Sequence, residues 1–235
     1  MSLVLPVFDP RLAPVVPDDA PLTQPVHPHC LSPWGLRRAF ATPPVWTPEL
    51  REEPTWTDRV PAPAAVLLPL VLRESVQVLL TQRSAQLSSH AGQIALPGGR
   101  VDADDRDAVA AALREAQEEV GLPPDRVEVL GTLPRYRTGS AFDITPVVAL
   151  VQPDWVVRPN AREVDAVFEV PLSFLMNPAH HRRHWRQADG VRREWYAMPY
   201  HDGEQERFIW GATAGLLRNF YHLLAAASRQ HLDSL

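Results

Sequence analysis

The sequence predicts an α/β fold in which a mixed β-sheet is sandwiched between helices. Apolar runs of strand length stand on both sides of one amphipathic helix at about 105–120, and a longer amphipathic helix at 210–228 closes the chain. A chain of 235 residues is long enough for one sizeable core. We therefore expect one domain at 61–228, preceded by an extension at 1–60 and followed by a tail at 229–235.

The expected strands are runs rich in valine, leucine and isoleucine that turn residues separate. A hairpin of 180–186 and 192–198 should turn at Asp189-Gly190, which is a strong turn signal. One helical turn is expected at 173–176. The remaining strands are predicted at 64–72, 76–81, 94–96, 127–134, 144–151 and 164–170.

Charge and cysteine content exclude several classes of protein. The net charge is −5, so bulk electrostatics gives no reason to expect a nucleic-acid partner. Cys30 is the only cysteine, which excludes an internal disulfide and favours a reducing compartment. The N-terminus lacks the features of a signal peptide, and the most apolar run, 62–72, is too short to span a bilayer. We expect a cytoplasmic protein with no membrane partner.

The extension at 1–60 is rich in proline and poor in periodicity. One short helix is expected at 31–40, with Ser32 as its N-cap and Pro33 in its first turn. The rest of the extension should wrap the domain surface in extended form. The stretch at 27–30 contains two histidines and the cysteine, but its proline and its spacing favour a plain loop over a metal site.

Three glutamates on the helix at 105–120 are the most informative feature of the chain. Glu115, Glu118 and Glu119 are helical neighbours, with about 5–6 Å between their Cβ atoms. Carboxylates this close repel one another, and a bound cation or a shared proton relieves the repulsion. Oxygen ligands without nearby cysteine or histidine suit a hard cation, Mg²⁺ or Mn²⁺. Arg114 can hold Glu118, which would leave the other two carboxylates for the metal.

The ends of this helix also carry signals. Asp104 or Asp105 can cap its start, and Gly121 stands where a left-handed C-cap belongs. A solvated acidic helix with one ion pair is the simpler interpretation. The Gly121 ending and a two-glycine turn expected at Gly98-Gly99 argue against it, and glycine lets a backbone approach an anion closely.

Two arginines flank the expected turn. Arg83 and Arg100 can neutralise phosphate charge. A hard cation beside a phosphate site favours attack by water on a diphosphate linkage, in which the metal activates the water and screens the departing phosphate. Glu115 or Glu119 would take the proton of the water.

The stretch from Gly98 to Leu122, GGRVDADDRDAVAAALREAQEEVGL, resembles the Nudix box. Its second half matches Arg-Glu-apolar-any-Glu-Glu-any-Gly-apolar in full from Arg114 onwards. In the first half Gly99 stands one residue too far from Arg114, and the first Glu of the family is absent, with Asp105 as the nearest acid. The resemblance covers about 61–225 and implies the Nudix-type α/β/α sandwich with a mixed sheet.

The resemblance also implies roles for the acids. Glu115 and Glu119 would be the main metal ligands, and Glu118 would be a third ligand or would orient the water. Nudix enzymes often recruit a further acid from a later loop. Glu163 is the best positional candidate, and the alternative is an exposed loop carboxylate without a role.

The segment before the box, at 79–99, is similar to the second signature of the coenzyme A pyrophosphatase branch of Nudix proteins. Two positions depart, because Ser88 replaces an arginine and Leu96 replaces a phenylalanine. The extra residue inside the box and the stretch Ile209 to Ala214 also resemble this branch. The matching positions of the signature are Arg83, Ser84, Gly92 and Pro97 to Gly99.

This branch implies hydrolysis of coenzyme A or its thioesters at the diphosphate. The products would be phosphopantetheine, or its acylated form, and adenosine 3′,5′-bisphosphate. The residues expected to contact the substrate are Arg83, His90, Gln93, Gly98, Gly99 and Arg100.

Several alternatives stay open at the level of sequence. The substrate could be another nucleoside diphosphate derivative, such as ADP-ribose or a dinucleotide, and the protein could be a nucleotide-sensing Nudix module that does not cleave its ligand. The basic stretch at 180–186, with Arg192 and Arg193, could receive a 3′-phosphate or adenine, or it could be an exposed hairpin. A monomer and a homodimer are both compatible with the sequence.

Overall fold

A mixed eight-stranded sheet forms the centre of the computed structural model, which describes residues 8–16, 24–55, 57–188 and 190–233. A second, three-stranded sheet lies beside it. The strands of the large sheet are β1 Ala62–Leu72, β2 Val76–Arg83, β3 Ile94–Ala95, β4 Gly98–Arg100, β5 Val127–Thr132, β6 Tyr136–Arg137, β7 Phe142–Val151 and β8 Val164–Pro171. The small sheet contains β9 Arg182–Ala188, β10 Val191–Asp202 and β11 Gln205–Trp210. The helices are α1 Pro33–Ala41, α2 Ala108–Val120, α3 Leu172–Leu175 and α4 Gly211–Leu232.

Strand β1 organises the large sheet. It runs parallel to β7 over ten paired positions and antiparallel to both β2 and β4. One parallel pair within otherwise antiparallel ladders makes the sheet mixed, as the sequence predicted.

Helices cover both faces of this sheet because the side chains of β1 alternate between two buried clusters. Leu67 and Val71 pack with the alanine-rich face of α2. Leu68 and Leu70 belong to the larger cluster that contains Phe220 of α4. The expected α/β/α sandwich is therefore confirmed.

The extension contributes residues to the core as well as covering the surface of the domain. Helix α1 begins at Pro33, and the hydroxyl oxygen of Ser32 accepts a hydrogen bond from the Gly35 N–H at 3.1 Å, as predicted. Leu36 of this helix is fully buried in the larger core cluster, and Cys30 is a buried free cysteine. Pro28–Leu31 forms a short 3₁₀ helix, with His27 as its N-cap.

Three expectations about the later elements were incomplete. The hairpin has the predicted place, but its second strand extends to Asp202, and β11 was not predicted at all. The final helix continues to Leu232, so residues 229–232 are helical rather than part of a tail. Asp189, at the predicted turn, lies outside the described residues. No helix in the described part of the chain is long and apolar enough to cross a membrane.

Candidate active site

The glycine pair at 98–99 lies in a strand, and the predicted two-glycine turn was wrong. Gly98 and Gly99 belong to β4, where they pair with Val66 and Ala65 of β1. A Cβ atom on Gly99 would lie 2.5 Å from the carboxylate carbon of Glu115, and one on Gly98 would collide with the backbone of β1. Glycine is needed here because another strand and a carboxylate approach closely.

The start of α2 also differs from the prediction. Asp107 is the N-cap, and its side chain accepts a hydrogen bond from the Ala110 N–H at 2.8 Å. Asp105 instead accepts two hydrogen bonds from Arg114, at 3.0 and 2.9 Å. This pair braces the loop that leads into the helix. The C-terminus is as predicted, because Gly121 has φ +70°.

Glu119 lies almost wholly inside the molecule, with 3% of its surface exposed. Its Oε2 accepts a hydrogen bond from the Gly98 N–H at 3.3 Å, and Arg83 Nη1 lies 3.9 Å from Oε1. Burial raises its pKa to about 7, although Arg83 and Gly98 act in the opposite direction. The negative charge of Glu119 is therefore poorly compensated.

Glu115 is half-buried one helical turn earlier. Arg114 Nη1 donates a hydrogen bond to its Oε1 at 3.0 Å. Burial nevertheless raises the pKa of Glu115, and the charges of Glu118 and Glu163 add to the effect. The edge of α2 thus holds more negative charge than its neighbours compensate.

Glu163 faces the same edge, as its position in the sequence suggested. Its charge raises the pKa of both Glu115 and Glu119. The loop before β8 is tied to the end of α2, because the Asn160 N–H donates to the Glu119 carbonyl at 2.9 Å. The Ser84 N–H donates to the Glu163 carbonyl at 2.8 Å, which brings the end of β2 to the same place.

Glu118 behaves differently from the other two glutamates of the cluster. Its side chain is exposed, and Arg114 Nη1 donates to its oxygens at 3.3 and 3.5 Å. Arg114 contacts Glu118 as predicted, but it makes shorter contacts with Asp105 and Glu115. The sequence predicted Glu118 as a metal ligand, and its exposure makes it the weakest of the three candidates.

The donor chemistry of this edge fits a hard divalent ion. Glu115, Glu119 and Glu163 supply carboxylate oxygens whose mutual repulsion a cation would relieve. Among the described residues, no group of three or more His, Cys, Asp or Glu side chains already converges on a metal position. Mg²⁺ usually takes only one or two carboxylates and completes its coordination with water and substrate phosphate, so a convergent triad is not required.

A cavity of about 380 Å³ has Arg83 and Gly98, the two residues that contact the Glu119 carboxylate, in its wall. Strand β4 forms part of its wall, and the start of α4, from Trp210 to Thr213, forms another part. All six residues that the sequence predicted as substrate contacts line this one cavity: Arg83, His90, Gln93, Gly98, Gly99 and Arg100.

Contacts within the cavity wall orient several of these side chains. His90 Nδ1 lies 3.0 Å from Gln93 Oε1. The guanidinium of Arg100 lies 5.5 Å from the ring centroid of Phe142. Arg83 belongs both to this wall and to the carboxylate cluster, and its buried Nε has no hydrogen-bond partner among the residues that the structure describes. An anion in the cavity would provide one.

Among the residues of the wall that were not predicted from the sequence, four are polar or aromatic side chains from distant parts of the chain. They come from the extension and from the segment around the start of β7: Glu53, Thr138, Ser140 and Phe142. No local sequence motif identifies these residues. The carboxylate of Glu53, for example, accepts a hydrogen bond from Tyr136, which is 83 positions away in the sequence.

The basic hairpin lies outside this cavity. No described residue of β9 or of the turn after it contributes to the cavity wall. Arg183 and Arg192 form ion pairs with Glu194 of the same hairpin. The geometry therefore gives no support to a role for this stretch in binding a 3′-phosphate.

A larger cavity of about 1020 Å³ lies between the extension, the turn after β1 and the end of α4. Its walls include Val26, Arg73 and Leu232. The carboxylates of the α2 edge line neither cavity, but Arg83 and Gly98, which contact Glu119, line only the smaller one. Size alone therefore does not locate the chemistry in this molecule.

Comparisons with known proteins identify the family of this chain. The NUDIX domain family model matches residues 61–207. The Nudix hydrolase NudL of Escherichia coli K12 is 45% identical over 159 residues, which cover 66% of this chain and 79% of NudL. NudL of Citrobacter koseri is 46% identical over the same shares. The Nudix hydrolase RenU of M. smegmatis is 29% identical, with a TM-score of 0.41 over 48% of this chain and 73% of RenU. This chain is a member of the Nudix hydrolase family, whose enzymes generally use divalent cations.

Proposed function

We propose that this protein hydrolyses the diphosphate linkage of coenzyme A or its thioesters with Mg²⁺ or Mn²⁺ as cofactor. One observation carries the proposal. Three of the positions that match the signature of the coenzyme A pyrophosphatase branch, Arg83, Gly98 and Gly99, line a single cavity beside the acidic edge of α2. His90 and Gln93 of the same segment line it as well. The single cysteine, Cys30, is buried and free, which favours a reducing compartment such as the cytoplasm.

Different residues would bind the metal ion and the phosphates. Glu115 and Glu119, with Glu163 from the facing loop, would hold the divalent ion. When bound, the ion lowers the pKa of a coordinated water and offsets the charge of the phosphate oxygens. Arg83 and Arg100 contribute positive charge to the cavity wall, where they can bind the diphosphate.

The proposed reaction breaks one phosphoanhydride bond. The oxygen of water bonds to one phosphorus, the bridging oxygen leaves with the other phosphate, and a carboxylate of the cluster, Glu115 or Glu119, takes the proton of the water. The products are two phosphomonoesters, (acyl-)phosphopantetheine and adenosine 3′,5′-bisphosphate.

The test is incubation of purified protein with coenzyme A and mass analysis of the products, with Mg²⁺, with Mn²⁺ and with a chelator. We expect two fragments divided at the diphosphate, and none with the chelator. Glu128→Gln is a control variant that should keep the activity, because Glu128 pairs with Arg37 on the surface and does not line the cavity. Intact coenzyme A in the presence of metal would refute the proposal.

A second candidate is a Nudix diphosphatase that acts on ADP-ribose or a dinucleotide. Ser88 favours it, because the coenzyme A branch has an arginine at this position that could bind phosphate. A substrate panel separates the two candidates by their kcat/KM values. A nucleotide-sensing module would bind these compounds and leave all of them intact.

A further inference from the structure

We propose that the extension builds one wall of the substrate cavity and that Glu53 is the positioning residue of this wall. The inference rests on the proposed function, since it assigns a role in substrate selection to the same cavity. Glu53 lies outside the matched family region at 61–207 and still lines the cavity.

Both carboxylate oxygens of Glu53 are committed to the domain. The Tyr136 hydroxyl donates a hydrogen bond to Oε1 at 2.9 Å, and the Gly139 N–H donates to Oε2 at 2.9 Å. The backbone adds two bonds, because the Glu53 N–H donates to the Arg137 carbonyl at 2.8 Å and the Arg137 N–H donates to the Arg51 carbonyl at 2.9 Å. Glu53 thus bridges the extension and the segment between β6 and β7.

That segment has a conformation that needs support. Ala141 has φ +63°, which is unfavourable for a residue with a Cβ atom. Thr138 and Ser140 share a hydrogen bond of 3.0 Å between their hydroxyl groups, and the Phe142 N–H donates to the Thr138 hydroxyl at 3.0 Å. Thr138, Ser140 and Phe142 line the cavity, so the shape of the wall depends on this segment.

The extension is itself fixed to α4, so it can act as a rigid support. Asn219 Nδ2 donates to the Leu50 carbonyl at 2.6 Å, and the Leu50 N–H donates to Asn219 Oδ1 at 3.1 Å. Arg218 Nε donates to Glu49 Oε2 at 2.7 Å. These contacts hold the extension in place just before Glu53, where it joins the cavity wall.

The side chains of this wall determine which part of the substrate can bind against it. A carboxylate, two hydroxyl groups and an aromatic ring favour an uncharged group with hydrogen-bond donors and disfavour phosphate. Such groups are the hydroxyls and amides of a nucleotide derivative. Arg83 and Arg100, which can bind the phosphates, line other parts of the same cavity.

The test compares Glu53→Ala with Glu52→Ala, which removes the same charge one residue earlier. Glu52 is exposed and does not line the cavity. For Glu53→Ala we expect KM for coenzyme A to rise about tenfold with kcat within about threefold, the size expected when a hydrogen-bonded charged group is lost. Glu52→Ala should match the wild type. Equal KM values for both variants, or a fall in kcat alone, would overturn the inference.

A conservative variant separates positioning from charge. In Glu53→Gln the amide oxygen can accept from the Gly139 N–H while the amide nitrogen donates to the Tyr136 oxygen. We expect this variant to recover most of the wild-type KM. A KM as high as that of Glu53→Ala would refute the positioning role. If Glu53→Ala does not fold, Tyr136→Phe removes one of the two hydrogen bonds and should raise KM by a smaller factor.

Amide hydrogen exchange tests the wall without any substrate. Peptides covering 137–142 should exchange faster in Glu53→Ala than in Glu52→Ala, because the Gly139 N–H loses its acceptor. Unchanged exchange would overturn the inference. If the wild type leaves coenzyme A intact, the proposed function fails, while this measurement still decides whether Glu53 holds the wall.

Discussion

Glu49 and Glu119 both lie beside an arginine, and their pKa values are shifted in opposite directions. The pKa of Glu49 is lowered to about 2, whereas that of Glu119 is raised to about 7. Arg218 donates a hydrogen bond to Glu49 at 2.7 Å, while Arg83 lies 3.9 Å from Glu119. An arginine in the neighbourhood therefore does not by itself determine the state of a carboxylate.

The number of hydrogen-bond donors explains Glu49. Burial acts to raise its pKa, but hydrogen bonds from His222, Tyr196 and Arg218 outweigh it. These donors come from α4 and β10 and meet on a segment of the extension. Glu49 is thus a structural carboxylate whose lone pairs are used within the protein.

Glu119 has fewer donors and more repulsion. The one hydrogen bond to its carboxylate among the described groups comes from the Gly98 N–H, and the charges of Glu115 and Glu163 act against its ionised form. Its oxygens are therefore available to a ligand from outside. In this comparison the carboxylate with unsatisfied oxygens, rather than the well-paired one, marks the candidate functional site.

The largest expected effect is on catalysis by Glu119. Glu119→Gln should lower kcat by about 10²–10⁴-fold, the range for loss of a group that takes part in proton transfer. The melting temperature should not fall, because the substitution removes a poorly compensated buried charge. Steady-state kinetics and thermal melts measure both quantities. A variant that retains wild-type kcat would contradict the assignment of this edge as the active site.

A divalent ion should stabilise the protein by binding at the Glu119 edge of α2 and not at Glu49. Mg²⁺ or Mn²⁺ at a hundredfold excess over Kd should raise the free energy of unfolding by about 3 kcal/mol. Glu115→Gln and Glu119→Gln should lose this gain, whereas Glu49→Gln should keep it. Thermal melts with and without a chelator measure the gain. An equal shift in all three variants would place the ion elsewhere.

Glu49 should show the reverse pattern, in which stability changes and chemistry does not. Glu49→Gln should lower the free energy of unfolding by about 2 kcal/mol, because three donors lose a charged acceptor. At saturating substrate, kcat should stay within about twofold. Glu128→Gln is the control, since its exposed pair with Arg37 contributes less than about 1 kcal/mol. Chemical denaturation distinguishes the two variants, and equal losses would refute the distinction.

The smallest effect concerns pH and His181, which contacts the Glu49 cluster through Arg218. Burial lowers the pKa of His181 to about 3, and its Nδ1 lies 3.0 Å from Arg218 Nη1. The unfolded state therefore binds a proton below pH 6.5 that the folded state does not, so this group makes stability fall as pH falls.

Between pH 6.5 and 5.5 the contribution of His181 to stability should decrease by about 1 kcal/mol. His181→Gln, which can still accept from Arg218 and donate to the Leu175 carbonyl, should reduce this dependence. Denaturant titrations at the two pH values measure it. A variant with the same slope as the wild type would show that another group titrates in this range.

Much of the acidic edge could be predicted from the sequence because its members are local. Glu115 and Glu119 are four residues apart, and α2 ends at Gly121 as predicted. Asp105 was recognised as the nearest acid to the missing glutamate, and it binds Arg114. The capping prediction failed because several aspartates precede the helix and only the tertiary contact with Arg114 selects among them.

The substrate cavity was predicted only in part. A contiguous segment supplies Arg83, His90 and Gln93, and this segment resembles a family signature in which Arg83 is a matching position. Glu53 and Ser140 reach the same cavity from distant parts of the chain, and no periodicity connects them. The glycine pair at 98–99 was assigned to a turn because local preference for turns was considered without the approach of β1 and Glu115.

The sequence by itself determined the family, the order of the main helices and strands, and the acids on one face of α2, because these depend on neighbours along the chain. Only the tertiary structure decided that Glu119 is buried with a raised pKa, that Glu118 stays exposed and that Glu53 joins the cavity wall. The physical reason is that burial and electrostatic repulsion depend on distances in space, and residues far apart in sequence set those distances.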